Sequence, residues 1–134
     1  MAEPAAFVHE SMPLTRTLGI TTEKLDASEV VLRLEWAPEL CTAGGILHGG
    51  ALMALADSAG AVCAFLNLPE GATATSTIES KTNFLGAVRE GSVTARATVL
   101  HAGRTTIVVE TTITGQDERL VAKTIQTQAV LGGS

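Results

Sequence analysis

The sequence is poor in aromatic residues, which make up 3% of its 134 positions, whereas apolar residues make up 46%. A hydrophobic core must therefore be built from valine, isoleucine, leucine and alanine. The rare bulky side chains available to it are Phe7, Trp36, Phe65 and Phe84. The length suits one domain with a single core, so we predict one domain over residues 1–134.

Cysteine is also scarce. Two residues, Cys41 and Cys63, do not make a disulfide framework, and neither lies in a C-x-x-C pair or near a histidine at metal-ligand spacing. We therefore expect no metal site and two reduced thiols, Cys63 in the core and Cys41 in a loop. A cysteine nucleophile is not favoured, because nothing near either residue in the sequence would stabilise a thiolate.

Clusters of basic residues are absent, and the formal net charge is −5. This balance argues against nucleic acid and against an anionic membrane as the main partner. The first residues, MAEPAAFVHESMPLTRTLG, lack the basic start and hydrophobic block of a secretory signal, which favours a cytoplasmic location. We expect a small molecule or another protein as the partner.

One long apolar run is present, GGALMALADSAGAVCAFL over residues 49–66. It is barely long enough to cross a bilayer, it has no basic flanks, and Asp57 at its centre would cost about 2.5–3.5 kcal/mol on insertion. The following NLPEG, with Pro69 and Gly71, is typical of a helix end. The run therefore predicts a long helix wrapped by the rest of the domain.

The other segments are rich in threonine, valine and isoleucine and predict strands. They are LGITTEKL, EVVLRLEW, ATATSTIESKTNFL, SVTARATVLHA, RTTIVVETTIT and LVAKTIQTQAVL. The breaks around Gly91, Gly103 and TGQDE are short enough for hairpins. Antiparallel strands with one early helix predict an α+β domain whose sheet curls around that helix. We expect residues 1–14 to form an N-terminal arm, loose or docked.

The stretch GGILHGGALMALADSAG combines a glycine-rich helix start with a carboxylate. The start of the helix directs free N–H groups, including that of Gly49 or Gly50, toward any ligand, and such an end can stabilise an oxyanion. Many helices begin with glycine for steric reasons alone. Asp57 is the stronger indication, because an acid on a buried helix is costly unless it is paired or used. The alternative is a structural hydrogen bond.

The spacing of the two polar residues in this stretch predicts a dimer. His48 and Asp57 are nine residues apart, which is about 13 Å along a helix. Within one chain they cannot flank one reacting atom. If both serve one site, the second must come from another copy of the protein, with two helices side by side.

This stretch, followed by TNFLGAVREGSVTARATVLHAGRTT and LVAKTIQT, resembles the hotdog-fold acyl-CoA thioesterases of the phenylacetic-acid-degradation (PaaI-like) type. The similarity extends from about Leu18 to Leu131. It implies a central helix inside a curled antiparallel sheet, and chains paired as dimers, often as dimers of dimers. It also implies hydrolysis of an aryl or medium-chain acyl-CoA, without a cofactor beyond the coenzyme A of the substrate.

The resemblance further implies roles for individual residues. Asp57 matches the family's catalytic carboxylate, which acts as a general base on water or as a nucleophile on the thioester carbonyl. Gly49, with Gly50 beside it, matches the backbone N–H that polarises this carbonyl. His48 matches the motif histidine that helps to hold the loop and the thioester. Thr77 matches a small hydroxyl residue near the attacking water.

The sequence departs from the family pattern at two places. Thr42 stands where many relatives have an asparagine or glutamine that contacts the site, and a threonine reaches less far. FLGA replaces the more usual FLRP, so the expected phosphate-binding arginine after Leu85 is missing. Arg104, Lys81 and Arg89 are the candidates left to bind the CoA phosphates, and for each the alternative is a solvated surface charge.

Two other functions stay open at this point. A hotdog dehydratase or hydratase acting on acyl thioesters also pairs histidine and acid across two chains, but it usually has a proline after the histidine motif, and HGGAL has none. A non-catalytic acyl-CoA-binding domain would make Asp57 dispensable. Such a sensor needs an output module, and we expect the residues before Leu14 to be too few to form one.

Overall fold

Six strands form one antiparallel sheet in a computed structural model, which describes residues 3–132. In chain order the elements are helices α1 (Pro4–Ser11) and α2 (Pro13–Leu18), strands β1 (Thr21–Asp26) and β2 (Glu29–Glu35), helix α3 (Gly49–Phe65), and strands β3 (Ala74–Phe84), β4 (Ser92–Ala102), β5 (Thr106–Thr114) and β6 (Leu120–Leu131). Two short 3-10 turns, Pro38–Leu40 and Ala43–Gly45, lie between β2 and α3. The predicted long helix and all six predicted strands are confirmed.

The strand order in the sheet is β1-β2-β4-β5-β6-β3, and neighbouring strands are antiparallel throughout. Strands β4, β5 and β6 are joined by short connections at Gly103 and TGQDE, as predicted. The predicted hairpin around Gly91 is wrong, because β3 pairs with β6 at the far edge of the sheet.

The segment after β3 therefore crosses one end of the sheet instead of turning back. The N–H groups of Leu85 and Gly86 both donate to the carbonyl of Val121 on β6, at 2.8 and 3.1 Å. Farther along, the carbonyl of Val88 accepts from the N–H of Leu47, at 2.9 Å. These bonds bring the crossing segment against the loop that precedes α3.

Helix α3 packs on the inner face of the sheet, and the core lies between them. The fully buried aliphatic side chains of this core include Val30, Leu32, Leu34, Leu55, Val93, Ile107, Val109 and Ile113. The expectation that the aromatic residues are core pieces is wrong for Phe65 and Phe84, which are 43% and 49% exposed. Phe7 and Trp36 are partly buried and pack against the core.

Helix α3 is not covered on all sides, which corrects the expectation of a fully wrapped helix. Residues spaced three or four apart remain exposed or half-exposed along one line, here termed the open stripe of α3. Its members are Gly50, Met53, Ala54, Asp57, Ala61 and Phe65. Asp57 thus lies at the surface of the chain. Within residues 3–132, none of the helices has the length and hydropathy needed to cross a membrane.

The N-terminal arm is docked, not loose, over its described residues. Val8 on α1 and Thr15 on α2 are fully buried, and Val8 belongs to the hydrophobic core. His9 Nε2 lies 2.7 Å from the carbonyl oxygen of Ile20, which ties α1 to the start of β1. Residues 1 and 2 of the predicted arm lie outside the described residues.

Candidate active site

His48 caps the start of helix α3 with its side chain. Its Nδ1 accepts a hydrogen bond from the Gly50 N–H at 2.7 Å, and its carbonyl accepts from the Ala51 N–H at 2.9 Å. Because Nδ1 is an acceptor, the proton of the neutral ring lies on Nε2. The Gly50 N–H is occupied by this bond, so the prediction that either glycine could offer an N–H to a ligand is wrong for Gly50.

The N–H of Gly49 is the donor left open at this end of α3. As the first residue of the helix it has no intrahelical acceptor, and none of residues 3–132 accepts its N–H. A Cβ at this position would lie 3.1 Å from Cζ of Phe84, so the ring on β3 favours glycine here. An open donor at the positive end of a helix dipole can stabilise a negative oxygen.

The loop before His48 holds Thr42 close to this helix end. The His48 N–H donates to the Leu40 carbonyl at 2.9 Å, and the Thr42 N–H donates to the Ile46 carbonyl at 2.8 Å. Gly44 and Gly45, with φ of +81° and +74°, make the turn between them. Thr42 is exposed, so the structure places it in the loop of the site without a fixed side-chain contact.

The Asp57 carboxylate is held by a glutamine from β6. Gln126 Nε2 donates to Asp57 Oδ1 at 3.3 Å, and Gln126 itself is fully buried. Partial desolvation of the carboxyl group by the surrounding protein raises the pKa of Asp57 above the ordinary value of 3.8. The hydrogen bond from Gln126 opposes that rise. A carboxylate that solvent stabilises less is a stronger base.

Thr77 lies on the same side of the sheet, held by a second glutamine. Gln128 Nε2 donates to Thr77 Oγ1 at 2.7 Å, and the two residues are paired across β3 and β6. Gln126 and Gln128 are two apart on β6, so they share the inner face. Asp57 and Thr77 are thus bonded to successive inner-face residues of β6. The two glutamines went unnoticed in the sequence, although polar residues at alternate positions of a Thr/Val/Ile strand were a usable signal.

The three candidate cations are placed very differently. Arg89 follows Val88, which is bonded to the loop before His48, so it lies near the start of α3. Arg119, which the sequence reasoning missed, donates from Nη2 to the Ala87 carbonyl at 2.8 Å in the same crossing segment. Lys81 lies on the outer face of β3, since it pairs with exposed Ile125.

Arg104 lies at the opposite end of the sheet from His48. It lines a surface depression with Glu70, just beyond the end of α3, and its neighbour Thr105 accepts the Val130 N–H near the end of β6. Within one chain Arg104 and the open N–H of Gly49 are therefore not brought together.

Two cavities flank the open stripe. One of about 320 Å³ lies beside the helix start and is lined by Leu14, Leu18, Glu39, Leu40, Cys41, His48, Gly50, Ala51 and Ala54. The other, of about 190 Å³, lies beyond Asp57 between α1 and the second half of α3. Its lining is almost wholly apolar: Phe7, Ser11, Met12, Ala61, Val62 and Phe65.

The residues of this site lie in a part of the chain that resembles known proteins in sequence. A family model described as the thioesterase superfamily matches residues 44–122, which include the His48 loop, all of α3 and Thr77. This chain belongs to the thioesterase superfamily. The match ends at Ala122, so it covers more than half of the thioesterase but not the β6 glutamines.

Individual relatives agree with this assignment. The 1,4-dihydroxy-2-naphthoyl-CoA hydrolase of Listeria monocytogenes is 32% identical over 110 residues, covering 82% of this chain and 89% of that protein. A thioesterase family protein from Silicibacter pomeroyi has a similar structure, with a TM-score of 0.87, 30% identity and 96% of each chain covered. The E. coli PaaI protein from the phenylacetic acid degradation operon gives a TM-score of 0.86 at 27% identity, covering 97% of this chain and 92% of that one.

These comparisons confirm the predicted fold and class of activity. The thioesterase has the hotdog fold, of α+β class and PaaI-like type, and it is a thioester hydrolase. Of the three functions that the sequence left open, the comparisons thus support the hydrolase over the dehydratase and the non-catalytic acyl-CoA-binding domain.

The cap formed by His48 predicts a stability effect separate from catalysis. His48→Ala removes the acceptor for the Gly50 N–H and should lower the free energy of unfolding by about 0.5–2 kcal/mol, whereas His48→Asn, a good helix cap, should restore most of it. Urea denaturation at one fixed protein concentration measures this. His101→Ala, at an exposed position on β4, is the control. Equal stability of the alanine and asparagine variants would contradict the capping role.

Proposed function

We propose that the thioesterase hydrolyses acyl-CoA at a site shared by two copies of the chain. Asp57 of one copy activates water, and the Gly49 N–H of the other polarises the thioester carbonyl. The observation that carries this proposal is the placement of the two groups on one helix. The open Gly49 N–H marks its start, and the partly desolvated carboxylate of Asp57 lies on its open stripe about 12 Å farther along.

A two-fold arrangement of α3 helices would bring these groups together. If two copies of α3 run antiparallel with their open stripes in contact, Gly49 of each chain meets Asp57 of the other, and the axis passes near Met53, the midpoint. Met53 is 42% exposed on that stripe. The adjoining edge strand β3 supports the same arrangement, because its outer edge is unpaired within residues 3–132 and its Ile78 is 63% exposed. A dimer of dimers and a cytoplasmic location stay predictions.

The proposed reaction needs water and no resident cofactor. Asp57 takes a proton from water while the water oxygen bonds to the carbonyl carbon, and the Gly49 N–H stabilises the resulting oxyanion. Collapse of this intermediate expels the CoA thiolate, which takes up a proton. Thr77 Oγ1 accepts from Gln128, so its own O–H is free to hold the water. Direct attack by Asp57 on the carbonyl, followed by hydrolysis, is the alternative course.

For the CoA phosphates, the position of the crossing segment favours Arg89 among the predicted cations. It lies beside the loop of His48, and Arg119 next to it adds a second positive charge. Guanidinium groups bind phosphate oxygens through paired N–H donors. Arg104, at the other end of α3, would reach this site only from the partner subunit of an antiparallel pair.

For the acyl group, the apolar cavity beyond Asp57 is the best match. Ala61 in its wall is one helical turn after Asp57 on the same stripe, so a chain leaving the carbonyl would enter it directly. The other cavity contains His48 and Glu39 and suits the polar part of the thioester better. A volume of about 190 Å³ is below the roughly 300–1,000 Å³ of ordinary ligand pockets, which favours a medium-chain or single-ring acyl group.

The role of Asp57 predicts a large loss of turnover without a loss of fold. Asp57→Asn keeps the oxygen that accepts from Gln126 but removes the base, so kcat should fall about 10²- to 10⁴-fold. In the parent, kcat/KM should decline as the pH falls through the raised pKa of Asp57, above the range of an ordinary aspartate.

The stability of this variant follows from the same pKa. Because the folded-state pKa of Asp57 is raised, its contribution to stability is present at low pH and is lost as the pH rises through that pKa. At neutral pH Asp57→Asn should thus be at least as stable as the parent. Asp26→Asn, at the exposed end of β1, is the control for activity. Because donors from Ser28 lower the pKa of Asp26, this control variant should by contrast lose stability at neutral pH. Hydrolysis by Asp57→Asn at the parent rate would refute the assignment.

The shared site predicts complementation between two inactive variants. Asp57→Ala lacks the base, and His48→Ala lacks the cap that holds the helix start with its Gly49 N–H, so each variant alone should have little activity. The two variants are unfolded, mixed in equal amounts and refolded. Half of the dimers are then mixed and each has one of its two sites intact, so about a quarter of all sites should recover. The matched control replaces His48→Ala with the double variant carrying both changes, which should restore nothing. A preparation with mixed dimers proven by mass spectrometry but without activity would rule out sharing.

The acyl cavity predicts a change in chain-length preference. Ala61→Phe fills the cavity, so kcat/KM for octanoyl-CoA should fall about tenfold or more relative to acetyl-CoA, because each displaced methylene is worth about 1–3 kcal/mol. Ala102→Phe, at an exposed position on β4, is the control. Dimer content is checked by sedimentation. A uniform loss for all acyl lengths would show that the acyl group lies elsewhere.

A further inference from the structure

We infer that Gln126 positions the Asp57 carboxylate for catalysis, and that residue 60 is a glycine because the Gln126 amide occupies the place of its side chain. The inference rests on the proposed function, since it assigns a purpose to Asp57. Gln126 and Gly60 act together, since the amide of one takes the space that a side chain at the other would fill. Both residues lie beside Asp57, the first on β6 and the second three residues farther along α3.

The surroundings of Gln126 do not account for it as a stabilising residue. It is fully buried on the inner face of the sheet, opposite Val109 of β5 and Ser80 of β3. Its Nε2 reaches Asp57 Oδ1, but its Oε1 has no hydrogen-bond partner among residues 3–132. A buried polar atom without a partner costs about 1–3 kcal/mol. A leucine here would avoid that cost, so the amide is better explained by its effect on Asp57.

Gly60 carries a second local cost at the same contact. It lies in the interior of α3, where glycine is less favourable than alanine by about 0.5–1 kcal/mol. A Cβ at this position would overlap Gln126 Oε1 and lie 2.5 Å from its Cδ. The missing side chain therefore lets the amide lie flat against the helix, with its Nε2 directed back toward Asp57.

Other charged groups do not act on the carboxylate in the described chain. Burial and the Gln126 bond are the two causes of the raised pKa of Asp57. Charged side chains on the strands that pack against α3 alternate with the buried positions and lie on the outer face. They are Glu29, Arg33, Glu35, Glu79, Lys81, Arg96, His101, Glu110 and Lys123. On α3 and its cap the other ionisable groups are His48 at the start and Cys63, which faces the Ala97 carbonyl.

Loss of the Gln126 donor should therefore change both the orientation and the protonation of Asp57. In Gln126→Leu we expect kcat to fall between about 10- and 100-fold with KM changed less than about threefold, because a misdirected base acts on the transition state and not on substrate binding. The acid limb of the kcat/KM profile should move to higher pH, since the amide donor stabilises the charged form. The variant should unfold at the same or a higher urea concentration than the parent.

Gly60→Ala tests whether the space left by the glycine is needed to hold the Gln126 amide against Asp57. Alanine would displace the Gln126 amide, so this variant should show the same loss of kcat although the catalytic residues are unchanged. In a Gln126→Ala background the displaced amide is absent, so adding Gly60→Ala should cost nothing more. The two effects should thus be strongly non-additive in a double-mutant cycle. Additive effects would overturn the coupling between the two residues.

Thr111→Val is the matched control, since Thr111 is also a buried polar residue with an unpartnered oxygen on the inner face, but it makes no bond to Asp57. It should leave kcat and the acid limb unchanged. A Gln126→Leu variant with the parent kcat and pH profile would overturn the inference. That outcome differs from failure of the proposed function, in which Asp57→Asn would also keep its activity.

Discussion

The close approach of helix α3 to the sheet is the constraint on which the rest of the structure depends. Ala56 and Ala59 are fully buried against the strands, and Gly60 lies against Gln126. These residues lie on the face of α3 that packs on the sheet, and the sheet does not cover the whole helix. One stripe stays open, and it carries Asp57. Asp57 therefore lies at the surface of the chain, as the proposed sharing of its site with a second chain requires.

Sequence patterns predicted most of the fold because each element depends on local signals. Alternating Thr/Val/Ile segments give the strands, and α3 is bounded by His48 and by the NLPEG break. The place of β3 was not predictable in this way, since its pairing with β6 is made between residues about 50 positions apart. Composition also could not place Phe65 and Phe84, because it does not say which face of an element a residue occupies: Phe65 lies on the open stripe of α3, and Phe84 lies at the end of the edge strand β3.

The residues of the candidate site also differ in whether a local signal predicts them. His48, Gly49 and Asp57 were predictable because their chemistry is read from one short stretch and its helical spacing. The alternation of polar residues on β6 could mark Gln126 as an inner-face residue, but its bond to Asp57 depends on how β6 lies under α3, which no local pattern gives. The two arginines could not be told apart by local signals either. Arg89 and Arg104 are equivalent in the sequence, and the crossing segment after β3 brings Arg89 to the His48 loop.

Several features around Asp57 lower the stability of the fold, which is consistent with the catalytic role proposed for it. An unpartnered amide oxygen on Gln126, a glycine inside α3 and a carboxylate with a raised pKa all lie at one place. In the proposed dimer the open stripe would be covered by the partner subunit, and less water would reach the carboxylate. Because desolvation is the larger of the two causes of its raised pKa, pairing would raise it further. Dimer formation would then strengthen the same base whose site it completes.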